Sequence, residues 1–151
     1  MRTYGIASVD LTSPAGAPCV RPLGLHHAGV VVSDLDASVA FYTEMFGAAE
    51  TLRVEHEQVS LAMLELSNAC IELLAYRPPG RRDRMAAEND LGAGHFALLM
   101  DDVAGAHARL VARGVAFASP PERIADGPSE GYVIAFCLDP DGNRIELIQR
   151  P

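Results

Sequence analysis

Cysteine is scarce in this chain, basic residues are outnumbered, and no long apolar run occurs; each shortage excludes a class of protein. The three cysteines, Cys19, Cys70 and Cys137, are far apart, odd in number and free of any CxxC spacing. They do not make the disulfide framework of a small secreted domain, and they read as small apolar fillers in a reducing compartment. Lysine and arginine total 12 against 20 aspartates and glutamates, a net charge of −8. So acidic a balance does not suit a nucleic-acid backbone, and a small-molecule partner is expected instead. No stretch approaches the roughly 20 apolar residues that span a bilayer, so no membrane partner is expected. The opening "MRTYGIASVDLTSPAGAPCV" is interrupted by Asp10 and Pro14 and does not read as a secretory signal. The chain is therefore expected to be cytoplasmic.

What is present is enough apolar residue for one packed domain: 49% of 151 residues. It is organised as an internal repeat of roughly fifty to seventy residues. "HAGVVVSDLDASVAFYTEMFG" starts at His27 and "HFALLMDDVAGAHARLVARG" at His95; in each, an Asp follows the His by seven residues, at Asp34 and Asp102. The run after the His has the apolar character of a buried strand. Asp34 and Asp102 are natural helix N-caps. Leu35, Val39, Tyr42 and Phe46 then recur at helical spacing, as do Val103, Ala106, Leu110 and Val111. Gly47 and Gly114 stand where a left-handed residue ends a helix.

Each copy closes with strands. "ETLRVEH", "VSLAMLEL" and "ACIELLAY" follow the first helix; "VAFASP", "YVIAFCLD" and "NRIELIQ" follow the second, with "DPDGN" as the turn before the last. The order strand, helix, three strands, repeated, predicts an α+β domain of two tandem βαβββ modules whose strands curl into an open half-barrel sheet. Residues 1–23 form an N-terminal arm, and 24–151 a single domain. Within that domain, module one spans 24–76, a Pro-Pro-Gly linker 77–92, and module two 93–150. The segment Pro120 to Gly131 reads as a flexible loop able to act as a lid. Arg77, Arg81, Arg82 and Arg84 are diluted by Asp83, Glu88 and Asp90, and read as solvated linker rather than an anion site.

Superposing the copies puts His27 and Glu72 level with His95 and Glu146. A Glu between Ile and Leu on a closing strand is costly to bury alone, and here it occurs twice, each time with a His at the head of its module. Two neutral imidazoles and two carboxylates would hold a divalent ion with two positions left for water or substrate. Among the other candidates, His107 falls with helix-packing residues, while His56 and Glu65 lie at strand ends open to solvent. Register separates the doublet "HH": His27, with Gly29 and Val31, should face the metal. His26, with Ala28 and Val30, should point away as a packing or interface residue. Losing His27 should abolish metal binding, and losing His26 should not.

With "HAGVVVSDLDASVAFYTEMFG", "IELL", "GHFAL" and "VIAFCLDPDGNRIELI" in hand, the chain resembles the vicinal oxygen chelate superfamily. Its members include glyoxalase I, methylmalonyl-CoA epimerase, extradiol dioxygenases and bleomycin- or fosfomycin-resistance proteins. The resemblance covers Leu25 to Gln149 and is nearest to bacterial glyoxalase I. It implies metal ligands at His27, Glu72, His95 and Glu146, a divalent ion (Ni, Co, Zn, Mn or Fe), and a homodimer whose metal site is often shared between subunits. It also implies chelation of two adjacent substrate oxygens, with an enediolate stabilised by the metal. Glu146, or secondarily Glu72, would be the proton-transferring base of a lyase, isomerase or epimerase. Two departures count against strict glutathione dependence: Glu44 replaces a basic residue, and Tyr76 an asparagine, that contact glutathione in glyoxalase I. The rival readings are a metal-free drug- or metabolite-binding protein of the bleomycin-resistance type and an extradiol dioxygenase-like enzyme.

Overall fold

The computed structural model describes residues 22–80 and 94–151. The expected N-terminal arm as far as residue 21, with Cys19, and the linker from Arg81 onward lie outside the described residues. Module one runs β1 (Ala28–Val31), α1 (Leu35–Phe46), β2 (Ala49–Glu55), β3 (Val59–Leu66) and β4 (Ala69–Tyr76). Module two runs β5 (His95–Leu99), α2 (Val103–Ala112), β6 (Glu122–Arg123), β7 (Val133–Leu138) and β8 (Arg144–Gln149). The repeat is therefore structural: strand, helix, three strands, twice.

The helix boundaries follow from their caps. Asp34 accepts from the Ala37 N–H at 3.0 Å and Asp102 from the Gly105 N–H at 2.8 Å, each satisfying an orphan donor of the first turn. Gly47 ends α1 at φ 71°, and Gly114 follows α2 at φ 83°, both left-handed as the spacing requires. Leu35, Ser38 and Tyr42 of α1 and Val103, Ala106 and Leu110 of α2 face inward. Val111 is the exception to the expected stripe and stays half-exposed.

Each module makes one four-stranded mixed sheet, ordered β1-β4-β3-β2 and β5-β8-β7-β6, and neither sheet closes. The first strand pairs parallel to the last, β1 with β4 and β5 with β8, and the remaining pairs are antiparallel. Helix α1 packs on β3 and β4, and α2 on β7 and β8. Alternation then divides each sheet. Ala62, Leu64, Ile71 and Leu73 are buried beneath α1, and Ala135, Cys137, Ile145 and Leu147 beneath α2. Each fully buried Leu or Ile contributes about 1.5–3 kcal/mol over the exposed side chain. The opposite faces carry Glu72 and Glu146 and, among the described residues, have no helix over them.

Two expectations change in module two. "VAFASP" forms no regular strand: Phe117 makes a single bridge to Cys137, and pairing resumes only at Glu122–Arg123. Pro120 and Pro121 lack the N–H groups that a continuous ladder needs. The segment expected to be a flexible loop is also tied down at its neck, where the Ile124 N–H donates to the Tyr132 carbonyl at 2.8 Å and the Gly131 N–H donates to the Ile124 carbonyl at 2.9 Å. Among the described residues no helix is long and apolar enough to cross a membrane.

The "DPDGN" turn does more than its sequence signals and links the two modules. Asp139 is buried and accepts from the Tyr42 hydroxyl (3.2 Å), the Asp141 and Asn143 backbone N–H groups (3.0 and 2.7 Å) and Asn143 Nδ2 (2.8 Å). From the same turn Asp141 accepts the Ser33 N–H at 2.9 Å, and Asn143 Nδ2 donates to the Val31 carbonyl at 3.2 Å. Burial first, and the Asp139 charge second, push the Tyr42 phenol far above its ordinary value.

Candidate metal centre

The four sequence-selected residues come together as two pairs. His27 Nε2 lies 3.3 Å from Glu72 Oε2, and His95 Nε2 lies 3.1 Å from Glu146 Oε2. Strand register explains both. Glu72 stands opposite Gly29 and Glu146 opposite Ala97, so each Glu faces the residue two beyond its module's His on the parallel neighbour strand. Two residues along a strand is the same face, and the imidazole and carboxylate must meet. A Cβ at Gly29 would make only ordinary van der Waals contacts, 3.5 Å from Leu74 Cδ1 and 4.0 Å from Glu72 Oε2, and Ala97 holds the equivalent place in module two.

The carboxylates are the more enclosed partners. Side-chain exposure is 21% for Glu72 and 14% for Glu146, against 35% for His27 and 46% for His95. Each carboxylate is thus partly desolvated beside an imidazole nitrogen, an arrangement that suits a cation placed between them. Among the described residues no three His, Cys, Asp or Glu side chains converge into one metal-sized cluster. Among the described residues of one chain the four candidates therefore stand as two separate His–Glu pairs.

The surroundings of the two pairs differ. The His95 ring meets Phe136 edge-on with centroids 5.3 Å apart. Phe136 was not singled out from sequence, because only its register opposite Glu146 puts it there. Arg144, two residues before Glu146 and level with His95, shares that face. In module one the neighbour is His26. It does not pack inward: it is exposed, and its Nδ1 sits 2.8 Å from Nδ1 of His27 with the rings at right angles.

The residues set aside from sequence behave as expected. His107 packs against Phe117 at 4.4 Å between centroids, and His56 and Glu65 are exposed. Arg77 is held structurally: it donates to the His56 carbonyl at 2.8 Å and to Glu55 at 3.0 Å, and also contacts Ser60. Ser60 and Arg77 together hold the Glu55 carboxyl below the usual range. Glu44 is paired with Arg113 at 3.0 Å on the helix side, whereas Tyr76 lies at the end of β4, half-exposed and in the same alternating row as Glu72.

Two open mixed sheets with a His–Glu pair on each define a protein of paired βαβββ modules. The family model for the Glyoxalase/Bleomycin resistance protein/Dioxygenase superfamily matches residues 24–147, and the chain belongs to that superfamily. A 2-epi-5-epi-valiolone epimerase from Actinomyces sp is 31% identical over 147 residues, spanning 85% of this chain and 80% of the relative. The lactoylglutathione lyase GLX1 of Arabidopsis thaliana is 36% identical over 133 residues, 82% of this chain but 43% of the relative's length. Glyoxalase I from Zea mays superposes with a TM-score of 0.67 at 32% identity, covering 82% of this chain and 43% of that one. The chain thus spans most of the epimerase and less than half of the plant enzymes.

Proposed function

We propose that this protein is a metal-dependent enzyme that moves a proton on a small substrate bearing two adjacent oxygens, as a lyase, isomerase or epimerase. The observation that carries the reading is the duplicated His–Glu pair, with the same register, contact and open face in both modules. The donor set, two imidazole nitrogens and two carboxylate oxygens, suits Ni, Co, Zn, Mn or Fe(II). His27, Glu72, His95 and Glu146 would hold the ion. When bound, it supplies a Lewis acid that polarises a substrate carbonyl and acidifies the neighbouring C–H.

The chain's own residues do the rest. Leu74 beside Glu72 and Phe136 beside Glu146 give the reacting carbon an apolar neighbour in each module. Glu146, the more enclosed carboxylate, takes the proton, and Glu72 is the second candidate. Returning that proton to the adjacent carbon isomerises the substrate; a proton delivered to the opposite face of the same carbon by a second acid, with Glu72 the candidate, epimerises it. Relatives matched over most of their own length include both an epimerase and a probable lactoylglutathione lyase, and both outcomes fit the site. Glu44, engaged by Arg113 away from the sheet face, and Tyr76 on that face argue against a binding mode built for glutathione.

Because one chain offers two half-sets, a homodimer in which each copy contributes one pair is the simplest complete site. Elemental analysis after reconstitution tests the reading. About one divalent ion per pair of half-sites is expected, and less than about a tenth of that would favour a metal-free binding protein. With metal bound, solvent deuterium should enter an α-hydroxy ketone or an acyl-CoA ester substrate. The Glu146→Gln variant should keep the wild-type circular dichroism and lose exchange by about 100-fold or more. Undiminished exchange would remove Glu146 as the base.

A further inference from the structure

We infer that His26 is a positioning residue for His27, fixing the tautomer in which His27 Nε2 is free to take a metal. The inference rests on the metal reading above and goes beyond it, since His26 is not one of the four proposed ligands and acts through His27. Two imidazole Nδ1 atoms 2.8 Å apart are within hydrogen-bond distance, and such a bond needs one proton shared between them. If His26 donates, a neutral His27 carries its proton on Nε2, facing Glu72, and is closed to metal. If His27 donates, its Nε2 is bare and aimed at the position beside Glu72 Oε2. His26 then moves its own proton to Nε2; His26 is exposed, so water can supply that proton as the one from His27 Nε2 is released. The exchange leaves the total proton count of the pair unchanged.

The perpendicular rings, with centroids 5.1 Å apart, also hold the His27 plane in place. A ligating His generally donates its second N–H to a fixed acceptor, and loss of that acceptor weakens metal binding about 10- to 100-fold. The His95 ring instead has Phe136 edge-on to it. An acceptor from a second imidazole is therefore a feature of module one alone among the described residues.

Zinc titration of the full chain by calorimetry, on wild type, His26→Phe, His26→Asn and His27→Ala, tests this. Phe keeps a ring but accepts no proton; Asn places a carbonyl oxygen near the position of Nδ1. His26→Phe should weaken zinc binding about 10- to 100-fold, and His26→Asn should recover to within about threefold of wild type. Long-range ¹H–¹⁵N spectra of the zinc-loaded protein should show His27 protonated at Nδ1 in wild type and in His26→Asn. That proton should exchange with solvent in His26→Phe. Wild-type zinc affinity in His26→Phe, with His27 Nδ1–H still protected, would overturn the proposal while leaving the metal reading standing. Failure of wild type itself to bind zinc would overturn both.

Discussion

At the scale of single residues, the strongest dependence outside the proposed centre is on Tyr42. Its ring is fully buried and its hydroxyl crosses from module one to Asp139 of module two. Tyr42→Phe removes one bond to a carboxylate that keeps three N–H donors. The loss should therefore sit near about 1.5 kcal/mol, the low end for a hydrogen bond to a charged group. The pH dependence has a definite sign. In the unfolded chain the phenol ionises near pH ~10, whereas in the folded protein burial and Asp139 keep it protonated well above that. The unfolded state then binds fewer protons, so this contribution is complete below about pH 10 and is lost as pH rises further. Burial pushes the Cys137 thiol up to about 11 in the same direction, which starts the decline earlier, near the ordinary thiol value. Urea unfolding midpoints between neutral and strongly alkaline pH should fall in wild type. In Tyr42→Phe the part of that fall above about pH 11, beyond the range in which Cys137 contributes, should be missing.

At the scale of elements, the helix ends are where a local signal decides the structure. Gly47 has φ 71°, its N–H donates to the Thr43 carbonyl at 3.0 Å, and the next N–H reaches the Tyr42 carbonyl at 3.3 Å. A Cβ at Gly47 would meet no heavy atom within 4 Å, so Gly47→Ala tests backbone conformation alone. It should lower stability by about 1–2 kcal/mol. Gly24→Ala, also in open space but with no positive φ, should stay within about 0.5 kcal/mol of wild type. Thermal unfolding of the two variants provides the comparison.

The same locality explains what could be read from sequence. Asp34, Asp102, Gly47 and Gly114 are cap signals carried by one residue each, and period-two alternation placed Glu72 and Glu146 on the faces opposite the helices. Register against a neighbouring strand is not a local property. The two His–Glu contacts could be inferred only because the repeat displays the same arrangement twice. Phe136, which has no such counterpart, went unseen. Asp139 looked like an ordinary turn residue because its partner, Tyr42, lies in the other module. The strand expected at "VAFASP" failed for a local reason that the two prolines announce, and Val111 shows that helical spacing alone does not fix the width of a buried stripe.

At the scale of the whole molecule, the two modules form separate sheets and meet through the turn that reaches Ser33, Val31 and Tyr42. Their His–Glu pairs stay apart, since no group of three or more His, Cys, Asp or Glu side chains forms among the described residues. Under the proposed function, a four-ligand site would combine module one of one copy with module two of another, a prediction that does not depend on knowing the substrate. One variant loses the first pair (His27→Ala with Glu72→Gln); a second loses the other (His95→Ala with Glu146→Gln). Each should bind no metal tightly as a homodimer. Unfolded together in equal amounts and refolded, half of the dimers become mixed. Each mixed dimer then holds one site with all four ligands intact and one with none. Metal bound per chain should recover to about a quarter of wild type, read by elemental analysis after gel filtration. Recovery would not occur if each chain closed its own site, because every chain in the mixture lacks one pair. Metal retained by either double variant alone at the wild-type level would show that a single His–Glu pair suffices and would remove the shared site.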